Sequence, residues 1–304
     1  MNIENYLNLL NEKKIVIFLF HGVINKHENP VRNYNLKHLL ASDFQQLISK
    51  LNERGNAIAL DQLISPHNLI PSNSFVITFD DGFENNLSVA APILKELNTP
   101  ATFYITTDFI ENNHMSWIDQ IDYAVEETRE TKIQLSFFNE IISLNSFNEK
   151  IELLKKIRKL SKESKIFFLE KEQHIQEIFH VTKVPFTKSL STPIDKKMNW
   201  EEVNKLGSNS LFTIGGHTHT HPIMSYLNQE NLDFEIDHCL NLLSRKGQLR
   251  NLTHFSYPEG QTYCYDQKVI DALKKRNILC CPTAIEGINN YNEDLFHLKR
   301  VTVI

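Results

Sequence analysis

The sequence predicts an α/β protein, a distorted seven-stranded (β/α) barrel with a helical insertion, and two features predict it. Short apolar runs rich in β-branched and aromatic residues alternate with segments that carry apolar residues at spacings of three and four, which is typical of repeated βα units. Polar clusters directly follow four of these runs, and the loops that build the active site of a parallel barrel also follow its strands. The composition is that of a globular protein, with 41% hydrophobic and 23% charged residues, so we expect residues 1–304 to form one domain.

Candidate strands and helices alternate along most of the chain. The strands are predicted at Lys14–Phe20, Asn56–Leu60, Ser74–Phe79, Ala101–Thr106, Leu211–Gly215, Leu252–Tyr257 and Ile278–Thr283. The helices between them are predicted at Leu36–Glu53, Leu87–Leu97, Asn228–Leu243 and Gln267–Lys275, where apolar residues recur on one helical face.

The stretch from Asp119 to Lys197 interrupts this alternation. It is rich in charged residues, has helical spacing of its apolar residues and contains no convincing strand. We therefore expect a helical insertion at residues 119–197, after the fourth strand, as a solvated elaboration or a lid.

Charge and hydropathy exclude several classes of function. The net charge is -5, the isoelectric point is about 6.2, and Lys and Arg are scattered, so no nucleic acid partner is expected. The apolar run Ile15–Phe20 is too short to span a bilayer, and residues 1–14 lack the features of a signal peptide. We expect a cytoplasmic protein without a transmembrane segment, whose four cysteines are buried and reduced.

The four polar clusters contain the residues best suited to chemistry. They are His21-Gly22, Asp80-Asp81-Gly82, the segment 217–222 (His-Thr-His-Thr-His-Pro) and the segment 257–260 (Tyr-Pro-Glu-Gly). Two adjacent acids at the end of a buried strand are costly unless something compensates their charges. Because parallel strands of a barrel end on one face, we expect all four clusters to meet there.

The histidine segment predicts a metal site. Histidines that alternate after a Gly-Gly turn can bring neutral imidazoles to one point, as a zinc-type ion requires. Asp81 as a third ligand would leave one coordination position open for water and substrate, as in a catalytic site. Neighbouring side chains at a strand end diverge, so Asp80 would be free to act as a general base.

Taken together, the segments 78–82 (Thr-Phe-Asp-Asp-Gly), 217–222 and 257–260 resemble motifs of the polysaccharide deacetylases, the family with the nodulation-protein-B homology domain, also called carbohydrate esterase family 4. The resemblance implies a distorted (β/α) barrel with one divalent ion, usually zinc, with cobalt or nickel as alternatives. It implies that Asp80 is the catalytic base and that Asp81, His217 and His221 are the metal ligands.

The sequence departs from the family pattern at three places. Ser256 stands where many members have an arginine that orients the base, and Arg300 is the candidate to replace that arginine. Glu259 stands where many members have tyrosine, but the family's contribution there resembles a backbone N–H that stabilises an oxyanion, so Glu259 keeps this role. The general acid is expected to be His21, as in members with a permuted acid histidine, with His297 as the alternative.

The resemblance implies an N-acylated amino sugar as the substrate, with an acetyl or a formyl group. We expect a nucleotide-, lipid- or glycan-linked sugar that is an intracellular precursor of a surface polysaccharide or glycolipid. The candidate residues for sugar binding are Tyr257, Phe83, Trp117, Trp200 and His219. Two other functions stay open, an O-acyl carbohydrate esterase and a catalytically silent sugar-binding protein.

Overall fold

A parallel sheet forms the centre of the fold in the computed structural model of the chain, which describes residues 1–64 and 69–304. The strands are β1 (Lys14–Phe20), β2 (Gly22–Ile24), β3 (His38–Leu40), β4 (Asn56–Ala57), β5 (Ser74–Phe79), β6 (Ala101–Ile105), β7 (Lys132–Gln134), β8 (Ile141–Ser143), β9 (Phe212–Gly216), β10 (Asn289–Asn290) and β11 (Val301–Thr302). The helices are α1 (Ile3–Leu7), α2 (Ala41–Arg54), α3 (Asp61–Ile64), α4 (Ala91–Glu96), α5 (Thr107–Asn112), α6 (Trp117–Glu127), α7 (Phe147–Glu163), α8 (Lys165–Leu169), α9 (Lys171–Thr182), α10 (Trp200–Gly207), α11 (Gln229–Arg245) and α12 (Gln267–Lys274). A π-helical turn at Asn86–Ala90 leads into α4, and a 3-10 turn lies at Met224–Tyr226.

The main sheet has seven strands and follows the order β10-β1-β5-β6-β9, with β11 also paired to β1 and β4 to β5. All of these pairs are parallel except β1 with β10. The residues of β5 are all buried, and those of β1 are buried after Lys14. Strands that are covered on both faces need continuous apolar runs, and those runs are the signal by which the sequence predicted them.

Two of the seven predicted strands do not form strands in the structure. Their segments still occupy the corresponding positions in the barrel. Residues 252–257 and 278–283 make only isolated parallel bridges, Gly216 with Phe255 and His254 with Cys280. Pro258 and Pro282 have no backbone N–H to continue a ladder. Thr283 donates its backbone N–H to the carbonyl of Leu298, which lies shortly before β11 in the chain. Because β11 pairs with β1, these contacts close the distorted barrel.

The other predictions differ from the structure mainly at element ends. The helix predicted at Leu36–Glu53 begins only at Ala41, because residues 38–40 pair as β3 with β2. The strand predicted at Asn56–Leu60 pairs only at Asn56–Ala57. In α2 the buried residues Phe44, Leu47, Ile48 and Leu51 follow the helical period that predicted this helix.

Residues 119–197, predicted to be a helical insertion, contain most of α6 together with α7, α8 and α9. They also contain the antiparallel pair of β7 and β8, so the expectation that this stretch contains no strand is wrong. Its apolar residues, including Ile121, Leu154 and Ile178, pack in a second hydrophobic cluster beside the barrel core. After α9 the chain returns to the barrel, where Met198 donates its N–H to the carbonyl of Gly82.

Candidate active site

Asp80 lies just past β5 and faces a buried arginine. Arg300 donates two hydrogen bonds to it, from Nη1 to Oδ1 at 2.9 Å and from Nη2 to Oδ2 at 2.8 Å. The side chains of Arg300 and Asp80 are 0% and 5% exposed. Burial by itself would raise the pKa of Asp80, but the charge and hydrogen bonds of Arg300, together with the nearby histidines, outweigh burial and the pKa is lowered. Asp80 is therefore held as a carboxylate, and the sequence-based suggestion that Arg300 contacts it agrees with the structure.

Asp81 faces the two histidines. Its Oδ1 lies 3.5 Å from Nε2 of His221 and 3.8 Å from Nε2 of His217. Its backbone φ is +76°, in a region that non-glycine residues rarely adopt and that recurs at functional sites. Burial would raise the pKa of Asp81, but nearby charges, the ammonium group of Lys37 foremost, hold it well below the usual value. This carboxylate is therefore ionised and available as a ligand.

The two histidines turn their Nε2 atoms towards Oδ1 of Asp81. The Nδ1 of His217 lies 2.9 Å from the carbonyl oxygen of Ser256, so Nδ1 carries the proton and donates it, which leaves Nε2 as the acceptor. Burial lowers the pKa of His221 to about 3, so its imidazole is neutral.

The three side chains fit a divalent metal ion. Their ligand atoms all lie within 4.8 Å of one another, and among residues 1–64 and 69–304 this is the one group of its kind. Bonds of about 2.0–2.2 Å in a tetrahedral site place ligand atoms roughly 3.3–3.6 Å apart, close to the distances from Asp81 to the two histidines. Two imidazoles and one carboxylate form a donor set suited to zinc and to other divalent transition metals.

The loop that carries the histidines is fixed by hydrogen bonds. Thr218 accepts the backbone N–H of His221 on its Oγ1 at 3.0 Å. Glu235 of α11 accepts the backbone N–H groups of His219 and Thr220, each at 2.8 Å. Both Thr218 and His221 have positive φ, at 63° and 60°, so these bonds hold a conformation that the backbone would otherwise avoid.

A cavity of about 290 Å³ lies over these residues. Besides Asp80, Asp81, His217 and His221, its lining includes His21, Lys37, Trp117, Arg158, Ser161, Lys162 and Glu259. Arg158, Ser161 and Lys162 belong to α7, so the predicted insertion forms one wall of the cavity. The expectation that polar clusters from separate strand ends meet on one face is confirmed.

Glu259 lines the cavity and lies in a turn with positive φ. Its φ is +59°, and Gly260 follows with a φ of +57°. Within the described parts of the chain, its N–H donates to no other protein group. A Cβ on Gly260 would lie 2.4 Å from the backbone nitrogen of Ala284, so this turn requires glycine.

The structure separates the two candidates for the general acid. His21 lines the cavity, and burial lowers its pKa, although Asp81 opposes that shift. The side chain of His297 is 45% exposed, contacts the hydroxyl of Tyr265 at 2.9 Å and does not line the cavity. Of the two candidates, His21 alone lines the cavity that contains Asp80 and Asp81.

Most of the predicted sugar-binding side chains are placed elsewhere. Phe83 is fully buried, with Nζ of Lys197 3.2 Å from its ring centre. The ring of Tyr257 is 1% exposed and stacks on Tyr265, although its residue borders the cavity. Neither ring has a face free for a sugar, because both are needed in the core.

Of the remaining three predicted sugar-binding residues, one lines the cavity and two do not. Trp200 donates its Nε1–H to Glu111 at 2.8 Å, and His219 contacts Oγ1 of Thr107 at 2.9 Å; neither residue lines the cavity. Trp117 does line it, with 7% of the residue exposed.

Sequence reasoning missed two residues of this site, Lys37 and Asp119. Nζ of Lys37 lies 3.2 Å from Oδ2 of Asp81 and 3.1 Å from both carboxylate oxygens of Asp119. Lys37 was part of a predicted amphipathic helix, and Asp119 was one of many acids in a charge-rich stretch. No local pattern distinguishes either residue, since their proximity arises only from tertiary packing.

The fold and the site together define a metal-binding hydrolase built on a distorted α/β barrel. The chain belongs to the polysaccharide deacetylase family, whose members it matches over residues 70–136 and 165–280, more than half of its length. The matched residues include Asp80, Asp81, His217 and His221, whereas residues 137–164, which contain α7, lie outside the match.

Solved structures share the fold. The deacetylase PplD of Streptococcus pyogenes, in complex with acetate, aligns with a TM-score of 0.61 at 16% identity over 96% of this chain and 92% of that one. IcaB of Ammonifex degensii aligns with a TM-score of 0.59 at 12% identity over 97% and 94%. A de-N-acetylase of Aggregatibacter actinomycetemcomitans aligns with a TM-score of 0.57 at 15% identity over 95% and 94%.

No curated protein matches the sequence significantly. Among the described residues, none of the helices has both the length and the apolar character needed to cross a membrane.

Proposed function

We propose that this protein is a metal-dependent N-deacylase that hydrolyses the acyl amide of an N-acylated amino sugar. The observation that carries the proposal is that two adjacent carboxylates, those of Asp80 and Asp81, have different partners. Both carboxylates lie near His217, at 3.9 Å for Asp80 and 3.8 Å for Asp81, but Asp80 is paired with Arg300, whereas Asp81 also lies 3.5 Å from Nε2 of His221. A protein that only binds sugar has no need for an ionised base beside a metal site.

The residues of the site suit the steps of amide hydrolysis. Asp81, His217 and His221 would hold a divalent ion, which would supply Lewis acidity for the attack of water on the acyl carbonyl. Asp80 takes a proton from that water as the general base. The N–H of Glu259 donates a hydrogen bond to the oxyanion that develops on the acyl carbon's oxygen.

His21 completes the reaction as the general acid. An amine leaves poorly as an anion, so the sugar nitrogen must gain a proton as the C–N bond breaks. His21 lines the cavity at the end of β1, next to the base at the end of β5, the strand that pairs with β1. The products are a carboxylate, acetate or formate, and an amino sugar.

The substrate that we propose is an N-acetylated or N-formylated amino sugar linked to a nucleotide, a lipid or a glycan, an intracellular precursor of a surface polysaccharide or glycolipid. Acetyl is favoured over formyl by two similar proteins, a de-N-acetylase and a deacetylase that was solved with acetate. Zinc is the ion that we propose, with cobalt or nickel as alternatives.

His217→Ala is expected to abolish metal binding and, with it, acyl release. The imidazole supplies one of three ligands, and Ser256 holds it in place. The measurement is metal content after zinc reconstitution, together with acetate and formate released from N-acylated amino sugars and their nucleotide conjugates. His219→Ala is the matched control in the same loop and is expected to retain the metal. A wild-type protein that binds no divalent ion but binds sugar would favour a sugar-binding function instead.

His21→Ala is expected to reduce kcat on an N-acetyl sugar by roughly 10²–10⁴-fold, the usual contribution of a general acid. The loss on the O-acetyl ester of the same sugar is expected to be much smaller, because an alkoxide leaves with less help than an amine anion. KM should change little, since His21 acts on the leaving group. His297→Ala serves as the control and should behave as wild type. Equal losses on amide and ester would contradict the assignment of His21, and a wild type active only on the ester would identify an O-acyl esterase.

A further inference from the structure

Lys37 connects the metal site to the predicted insertion. Its ammonium group lies 3.2 Å from Oδ2 of Asp81 and 3.1 Å from each carboxylate oxygen of Asp119. The side chain is 15% exposed, and that of Asp119 is 10% exposed. A lysine in this position loses much of its hydration, so two carboxylates must stabilise it in place.

Both members of the Lys37–Asp119 ion pair are held in place by the backbone around them. The carbonyl of Lys37 accepts the N–H of Gly22, next to His21, where β3 pairs with β2. Asp119 lies in the first turn of α6, and its own N–H is capped by Oγ of Ser116 at 3.2 Å. Neither end of the ion pair is a mobile surface group.

Lys37 divides the two oxygens of Asp81 between different partners. Oδ1 faces the Nε2 atoms of His217 and His221, and Oδ2 faces Nζ of Lys37. A carboxylate can bind a metal through one oxygen or through both. With Oδ2 engaged by Lys37, only Oδ1 is available to the ion.

We propose that Lys37, anchored by Asp119, is a positioning residue that keeps Asp81 a one-oxygen ligand and thereby keeps a coordination position open for substrate. This inference rests on the proposed metal-dependent function. A catalytic site of this type has three protein ligands and needs its remaining position for water or substrate. If both oxygens of Asp81 bound the ion, the second oxygen would compete for that position.

The charges of this arrangement agree with the proposal. A lone ammonium group close to a divalent ion would repel it. Because Asp119 carries the opposite charge and contacts the same ammonium group, the Lys37–Asp119 pair adds little net charge beside the ion. The pair can therefore orient Asp81 without a large cost in metal affinity.

The test uses the full chain loaded with Co²⁺, whose visible absorption is strong in four-coordinate sites and weaker when the coordination number rises. Lys37→Met combined with Asp119→Asn removes both charges, so that Asp119 is not left as a buried carboxylate without its lysine, and it frees Oδ2 of Asp81. We expect the double variant to bind cobalt with reduced visible absorption per bound ion, because Oδ2 of Asp81 joins the coordination. Turnover should fall roughly 10–100-fold, the usual effect of changing a residue that orients a metal ligand.

Three further proteins make the result decisive. Lys37→Arg keeps a cation beside Oδ2 and is expected to preserve the wild-type spectrum. Lys50→Met, at an exposed surface pair with Glu53, is the matched control and should change nothing. If the double variant keeps the wild-type spectrum, or if Lys37→Arg loses it as completely as the double variant does, the role of Lys37 is overturned. A wild type that takes up no cobalt would instead contradict the metal site itself, so the two failures are distinguishable.

Discussion

Asp80→Asn is expected to lower kcat by about 10²–10⁴-fold while the protein retains its metal, because the change removes a general base and no metal ligand. Asparagine has nearly the shape of aspartate, and its amide oxygen can still accept a hydrogen bond from Arg300, so the buried pocket stays filled. The amide cannot take a proton from water at neutral pH. KM is expected to change little, since the lost interaction belongs to the transition state.

The measurement is single-substrate kinetics of acyl release combined with metal analysis of the same samples. Asp81→Asn is the informative neighbour, since it is expected to lose the metal as well as turnover. Asp43→Asn, in the first turn of α2 and outside the cavity, is the matched control. Asp80→Asn enzyme that lost its metal, or that kept wild-type turnover, would show that the roles of the two acids are assigned wrongly.

The sequence predicted the central part of this site because its residues are close along the chain. Asp80 and Asp81 are neighbours, and His217 and His221 belong to one short loop, so each pair carries a recognisable spacing. Buried parallel strands also appear in the sequence as continuous apolar runs. These runs predicted β1, β5, β6 and β9 with end positions that differ from the structure by no more than one residue. Local pattern and tertiary structure agree wherever the element is long and buried.

The features that the sequence did not predict depend on distant contacts. Lys37 reaches Asp81 and Asp119 only because β3 pairs with β2, and β3 was hidden inside a helical pattern. Phe83 and Tyr257 follow strand ends, as sugar-binding aromatics often do, but the fold buries their rings. The sequence does not show whether an aromatic side chain in a short loop is buried, because this depends on residues that are distant along the chain.

The pairing of Arg300 with Asp80 was only partly predictable from the sequence. Ser256 stands where many family members have an arginine that orients the base, and Arg300 was suggested from the sequence as its replacement. Position 300 was suggested only because it follows the barrel strands. The structure places the guanidinium there through Thr283, whose carbonyl accepts the Nε–H at 2.5 Å.

Arg300→Met is expected to have two linked effects, a shift in the pH profile and a loss of stability. Arg300 lowers the pKa of Asp80, so without it burial raises that pKa and the acid limb of kcat/KM moves to higher pH. Breaking a fully buried ion pair leaves an uncompensated charge, which costs about 3–5 kcal/mol of the free energy of unfolding. The measurements are kcat/KM against pH and urea denaturation at pH 5 and pH 8.

The sign of the pH dependence separates this explanation from a simple packing defect. In the wild type the pKa of Asp80 is lowered on folding, so its contribution is present above the unfolded pKa, about 3.9, and is lost as pH falls. In Arg300→Met the pKa is raised on folding, so the folded state binds the proton more tightly and the stability deficit shrinks from pH 8 to pH 5. The double variant Arg300→Met/Asp80→Asn, which leaves no buried charge, should be more stable than Arg300→Met alone at pH 8. A deficit that is the same at both pH values, with an unmoved acid limb, would mean that Arg300 fills space beside Asp80 but does not control its charge.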